Sequence, residues 1–175
     1  LDGVKAHTIF YKNYDSNLFS LPTEKEEKLF LDNIIKINPK IVAISLLSPY
    51  VLIAKRITEL VKKHTGALVV WGGVGPTITP EEHIKMTDII CIGEGERAFE
   101  ELITAVRDGK DYTHIKNLWV NSNDQVIKNP QGPLIQELDT LPFAVYGKEN
   151  MYFIEQNKCS TEDPELDHNI LYLQS

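Results

Sequence analysis

Three short segments carry residue types suited to holding a ligand: Ser45-Leu46-Leu47-Ser48-Pro49, Gly72-Gly73-Val74-Gly75-Pro76-Thr77 and Gly93-Glu94-Gly95-Glu96. Glycines let a flat or bulky ligand approach the main chain where a side chain would block it. The hydroxyls of Ser45, Ser48 and Thr77 can donate to its polar edge. Plainer duties fit the same residues. The serines can satisfy local backbone groups, Gly72 and Gly73 can serve a tight turn, and Thr77 or Thr79 can cap a short helix. Glu94 and Glu96 suit acid–base work beside a cleft. They equally suit a helix start, where a carboxylate stabilises exposed N–H groups. No histidine or lysine accompanies the pair, so the pattern favours binding over catalysis and no catalytic residue is assigned.

Other chemistries lack their spacing. His7, His64, His83, His114 and His168 form no cluster of the HExxH kind. His83, the one histidine near a candidate loop, is expected to face solvent. Cys91 lies in an apolar run and reads as a buried thiol, and Cys159 is far from it, so no zinc or redox pair is expected. There is no GxGxxG after the first strand and no GxxxxGK[ST]. A flavodoxin-like flavin site stays open, whereas a phosphoacceptor receiver lacks its aspartate cluster.

All three segments fall at the ends of expected strands. AHTIFY (6–11) reads as a short strand. Glu24–Ile37 reads as an amphipathic helix that Thr23 and Glu26 cap reciprocally. KIVAISLL (40–47) is nearly continuously apolar, the mark of a strand covered on both faces. A helix from Pro49 to Lys63 follows, with Gly66 beyond it, then the strand Ala67–Trp71, with Trp71 in the core. Pro80–Lys85 reads as a short helix, Asp88–Ile92 as a strand, and Ala98–Arg107 as a helix stopped by Gly109. This alternation predicts an α/β, Rossmann-like (flavodoxin-like), doubly wound parallel sheet. Ligands of such sheets bind outside the carboxyl ends of the strands, where the three segments lie. Leu118–Asn121 and Gln125–Lys128 predict a small hairpin. Residues 130–142 are Pro-rich and wrap the domain, MYFIEQ (151–156) is strand-like, and residues 162–169 are polar.

The bulk numbers bound the partners. The chain has 175 residues, 42% hydrophobic and 25% charged, with a net charge of −7. An acidic surface repels nucleic acid and anionic membranes. No apolar run reaches membrane-spanning length, and the first residues do not read as a signal peptide. A cytoplasmic protein is expected.

Taken in order, SLLSP, WGGVGPTITPEE, DIICIGEGERAFEEL and PLIQELDTLPF resemble the amino-terminal cobalamin (B12)-binding domain of B12-dependent radical SAM proteins. That group includes the anaerobic magnesium-protoporphyrin IX monomethyl ester oxidative cyclases. The resemblance covers residues 1–145. It implies a base-off cobalamin held by Ser45, Leu47, Ser48, Gly72, Gly73, Val74, Gly75, Pro76, Thr77, Gly93 and Glu94. The nucleotide tail would slot beside Gly72 and Gly73, and Ser45 and Leu47 match the S-x-L of the wider cobalamin fold. The D-x-H-x-x-G loop of other cobalamin enzymes is absent, so no histidine ligand to cobalt is implied.

The same resemblance divides the chain into a cobalamin-binding-like α/β domain (1–112), a hairpin and wrapping segment (113–145) and a linker (146–175) towards a radical SAM catalytic domain. That domain would carry the [4Fe–4S] cluster and S-adenosylmethionine of the parent protein, whose C-x-x-x-C-x-x-C motif is missing here. Family members usually begin with a further strand, which lies between the AHTIFY and KIVAISLL strands. The present chain is expected to lack it, leaving a sheet edge through which copies can associate. The alternatives are a ligand-free interaction domain of the same fold and a flavin-type binding domain.

Overall fold

The runs of β-branched residues become strands in the computed structural model, which describes residues 3–12, 20–122, 125–142 and 149–162. The chain divides into two compact units: Leu1–Asn33 with Phe143–Ser175, and Ile34–Pro142. The expected polar stretch beyond Glu162, the ILYLQS segment and the first two residues lie outside the described residues.

The larger unit holds a five-stranded sheet. Its strands are β2 (Ile41–Ser45), β3 (Leu68–Gly72), β4 (Ile89–Cys91), β5 (Leu118–Ser122) and β6 (Gln125–Lys128), in that spatial order. β2, β3 and β4 run parallel, with Ser45 beside Gly72 and Trp71 beside Ile90. The expected hairpin forms, and β5 is hydrogen-bonded antiparallel to β4, so it widens the sheet instead of hanging from it.

Helices cover both faces. Val70, Ile89, Cys91, Leu118 and Val120 share one face and pack with Ala98 and Leu102 of α5 (Glu96–Asp108). On the opposite face the fully buried Trp71 donates its indole N–H to Thr58 Oγ1 at 2.9 Å. Thr58 belongs to α2 (Val51–His64), whose apolar positions recur at helical spacing. α2 ends at Thr65, one residue before the expected Gly66, because Thr65 turns to an extended conformation. Gly109 closes α5 at φ 64°, in the left-handed region where a glycine costs least.

The smaller unit corrects an expectation. The strand β1 (Thr8–Tyr11) does not hydrogen-bond into the five-stranded sheet. It pairs in parallel with β7 (Met151–Glu155), which pairs antiparallel with β8 (Lys158–Ser160). A period-two pattern fixes a strand's faces and leaves its partner open. Here MYFIE supplies buried Phe153 and Ile154 as the neighbour.

The first helix, α1 (Glu24–Ile37), starts with the expected reciprocal cap. Thr23 N–H donates to Glu26 Oε2 at 2.9 Å, and Glu26 N–H donates to Thr23 Oγ1 at 3.2 Å. Glu26 is also the hub of a buried ion pair. Lys12 Nζ lies 3.3 Å from Oε2, with the two side chains 3% and 1% exposed, and Asn157 N–H donates to Oε1. Burial is the largest single influence on this carboxyl and pushes its pKa up. The bonds from Thr23, Asn157 and Lys12 together outweigh it and leave Glu26 below its ordinary 4.5.

A depressed carboxyl contributes stability that is complete above the unfolded value and is lost as pH falls through the folded one. Acid unfolding below about pH 4.5 should therefore show a component that Glu26→Gln removes. Glu26→Ala, which removes the acceptor that Thr23, Asn157 and Lys12 share, should cost about 1–3 kcal/mol in denaturant unfolding at pH 7.

Candidate functional site

Parallel pairing of β2, β3 and β4 brings their following loops to one edge of the sheet. The loops interlock through backbone. Leu46 N–H donates to Gly72 O at 2.8 Å, and Gly75 N–H donates to Leu46 O at 3.0 Å. Gly73 sits at φ 94°, ψ −164°, a region open essentially to glycine. A Cβ there would meet Leu46 O at 3.0 Å and Leu46 N at 3.1 Å. One at Gly75 would meet Leu46 O at 3.2 Å. These two glycines therefore receive the protein's own main chain. Leu46 itself is buried at 1% exposure, while Leu47 and Val74, each 53% exposed, and Ile78, 67% exposed, stand out from the same loops.

Gly72 is different. A Cβ at this position would touch only Cys91 Cβ at 3.9 Å. The register places Ser45 beside Gly72 and Ala43 beside Val70, all on the face that carries Cys91 and α5. Ala43 and Ser45 are exposed and Gly72 half-exposed. A strip of small residues thus stays open along the carboxyl half of that face. Beneath Gly72 lies buried Cys91, whose thiol burial and then the nearby Glu96 push up to about 11.

Thr77 lies in α3 (Val74–Ile78), a single turn that sequence periodicity missed because it spans only five residues. Its hydroxyl donates to Gly73 O at 2.9 Å and accepts the Gly93 N–H at 3.1 Å, tying the β3 loop to the β4 loop. Pro76 is buried beside Gly75. Ser48 opens a 3₁₀ turn (Ser48–Tyr50) whose N-cap is Leu47, so no serine caps this helix start. Neither Glu94 nor Glu96 caps α5: Gly95 occupies the N-cap, with no side-chain bond. Glu94 instead accepts the Ile135 N–H at 2.7 Å. Ser45, Leu47, Ser48, Gly72, Gly73, Val74, Gly75, Pro76 and Thr77 form one neighbourhood, and Thr77 connects it to Gly93 and Glu94.

His83 does not face solvent. It is 3% exposed at the end of α4 (Pro80–His83), with its ring edge-on to Trp71 at 5.8 Å. Its Nδ1 lies 2.7 Å from Thr79 O, which assigns the Nδ1–H tautomer and leaves Nε2 buried without a partner. A lone histidine on a four-residue helix gives no sequence cue to this burial. Sequence reasoning also passed over Asn117, at φ 67°. Its side-chain amide donates to Ile92 O at 2.9 Å and Glu94 O at 3.1 Å, and its Oδ1 accepts the Gly132 N–H at 2.7 Å. The proline-rich composition after Pro130 was the one available signal. Among the described residues no group of histidine, cysteine and carboxylates could hold a metal ion. No helix among them is long and apolar enough to cross a membrane.

Residues 12–103 match the family model of the B12 binding domain. The chain is 34% identical over 117 residues to the uncharacterized methyltransferase PH0819 of Pyrococcus horikoshii, covering 63% of this chain and 25% of that protein. Its fold is similar to that of the radical S-adenosylmethionine methyltransferase TsrM from Kitasatospora setae, solved with cobalamin and a [4Fe-4S] cluster. The TM-score is 0.57 at 21% identity, over 65% of this chain and 22% of TsrM. The cobalamin-dependent S-adenosylmethionine radical enzyme OxsB, solved with aqua-cobalamin and S-adenosylmethionine, gives a TM-score of 0.54 at 19% identity, over 62% and 16% of the two chains. The present chain therefore spans a quarter or less of the length of these relatives.

The glycines should separate by substitution. Gly73→Ala meets both positive φ and backbone atoms, and should lower stability by about 1–3 kcal/mol in chemical unfolding. Gly72→Ala has room and should fall within about 1 kcal/mol of the parent. A thiol reagent at pH 7 should label exposed Cys159 readily and leave Cys91 protected until the protein unfolds.

Proposed function

The chain belongs to the B12-binding domain family, and we propose that it is the cobalamin-holding module of a larger radical SAM enzyme. The observation that carries this reading is the open strip of Ala43, Ser45 and Gly72 at the carboxyl edge, within a chain whose residues 12–103 match that family. The strip fits the group. A flat nucleotide tail needs close approach to the sheet, and Gly72 offers it with only Cys91 Cβ nearby.

In this reading Ser45 and Ser48 donate to the tail, Gly72 lets it approach the sheet, and Gly73 borders it while seating Leu46. Leu47 and Val74 give the corrin an apolar seat, and Gly93 borders it. Gly75, Pro76, Thr77 and Glu94 hold these loops in place. The cofactor would be held base-off, and no protein histidine would ligate cobalt, since the three loops contain none and His83 is buried against Trp71. Bound cobalamin would supply a methyl-carrying or radical-generating centre, while the chain positions it and excludes water.

The same proposal extends to the parent protein. Its catalytic domain would follow this module and bring a [4Fe–4S] cluster and S-adenosylmethionine. The boundaries at 112 and 145 would divide the α/β domain, the wrapping segment and the linker. Methyl transfer is the reaction favoured, since the 34% identical relative is named a methyltransferase. Ring closure of the magnesium-protoporphyrin kind is the alternative that the motif order favours. Association of copies through β2, the edge strand of its sheet, belongs to the proposal. So do a cytoplasmic location and the absence of nucleic-acid or membrane partners.

Titration of the purified chain with hydroxocobalamin should give a saturable absorbance change, with co-elution on gel filtration. Gly72→Trp should abolish binding by filling the strip, and Ser45→Ala should weaken it several-fold. A chain that retains no cobalamin, alone or extended to its parent's full length, would sink the reading. A yellow, flavin-loaded protein or a colourless one with a protein partner would replace it.

A further inference from the structure

Residues 130–136 run past the loop that follows β4 and are fastened by three hydrogen bonds, two to Asn117 and one to Glu94 of that loop. Asn117 N–H donates to Pro130 O at 3.1 Å, Asn117 Oδ1 accepts the Gly132 N–H at 2.7 Å, and Glu94 Oε2 accepts the Ile135 N–H at 2.7 Å. Asn117 and Gly132 meet so closely that a Cβ at Gly132 would lie 3.0 Å from Asn117 Oδ1. A Cβ at Gly93 would find Gln131 Nε2 at 3.8 Å. Asn117 also holds the other side of the contact, through Ile92 O and Glu94 O. Gly93 in turn is tied to Thr77 and the β3 loop.

This fastening uses polar bonds, while the leucines of the segment remain in water. Leu134 is 66% exposed, and Leu138, two residues beyond the fastened part, is 68% exposed. Leu47 and Val74 stand exposed on the loops at the same sheet edge. A loop tied down by a charge-assisted bond at one end and a buttressed asparagine at the other has already given up conformational freedom. Exposed apolar side chains on such a loop, beside a ligand edge, point to contact with a ligand.

We propose that residues 130–136 form a further wall of the cofactor site. Leu134 is its contact with the apolar periphery of a bound cobalamin, and Glu94 and Asn117 are the positioning residues that hold the wall in place. This rests on the cobalamin reading above and assigns a role to a segment that lies outside the matched residues 12–103. Glu94 then acts through the strap, with its carboxylate committed to the Ile135 amide.

The test is a hydroxocobalamin titration of the whole chain, paired with amide hydrogen exchange across Gly132, Ile135 and Gln136 with and without the cofactor. Leu134→Asp should weaken binding about tenfold and leave the thermal midpoint of the apoprotein unchanged. Glu94→Ala should weaken binding less and speed exchange at Ile135. Glu94→Gln keeps an acceptor oxygen and should recover most of both, a rescue that a general loss of stability would not give. Cobalamin should slow exchange across the strap in the parent chain. If the parent chain binds cobalamin while the strap amides exchange as before, or Leu134→Asp binds equally well, the wall is overturned and the module reading stands. If neither the unsubstituted chain nor its full-length parent protein binds cobalamin, both fall together.

Discussion

The site depends on one backbone contact, the seating of Leu46 in the glycine loop after β3. Two hydrogen bonds make it: Leu46 N–H to Gly72 O and Gly75 N–H to Leu46 O. The seat exists because Gly73 adopts a conformation open essentially to glycine and because neither Gly73 nor Gly75 carries a Cβ where the Leu46 main chain lies. With Leu46 buried, the residues on either side are turned outward. Ser45 and Leu47 are both exposed, one at the end of the strand and the other on the loop. The glycine run thus shapes this edge indirectly, by fixing where the neighbouring loop presents its side chains.

The two faces of β3 then divide the labour. Trp71 points to the α2 face, where its indole bonds to Thr58 and its ring meets His83. That face is filled and polar groups within it are largely paired. Gly72, the next residue, points to the α5 face and leaves it open beside Ser45. Strand alternation places a full side and an open side one residue apart. A ligand entering at Gly72, as proposed, would meet a sheet packed from behind by the tryptophan.

The rim is assembled from segments distant in sequence. Thr77 ties the β3 loop to Gly93. Asn117, at the start of the hairpin, ties Glu94 and Gly132 together. Each tie uses a side chain bonded to main chain, which constrains a loop without occupying the sheet edge. The result is a set of loops held in mutual register, with their apolar residues Leu47, Val74 and Leu134 left outward. Preorganisation of this kind lowers the ordering cost that a ligand must meet on binding.

Much of this was legible in the chain itself. Alternating apolar runs and helical spacings marked the strands β2, β3 and β4 and the helices α1, α2 and α5, since burial imposes those periods locally. The Thr23–Glu26 cap and the Gly109 stop were legible for the same reason, because their chemistry spans only a few residues. The ordered motifs indicated the B12-binding family. Pairing and burial were legible only in part: the β5–β6 hairpin and the burial of Trp71 and Cys91 could be read, and partners set by distant residues could not. The partner of β1, the inward turn of His83 and the fastening of Glu94 to Ile135 all depend on residues many positions away, and neither composition nor period encodes them. Local sequence determined which elements form and where the glycines stand. Only the tertiary structure decided that Gly73 and Gly75 serve the protein's own backbone while Gly72 is left open, because that distinction rests on which atoms lie within a Cβ's reach.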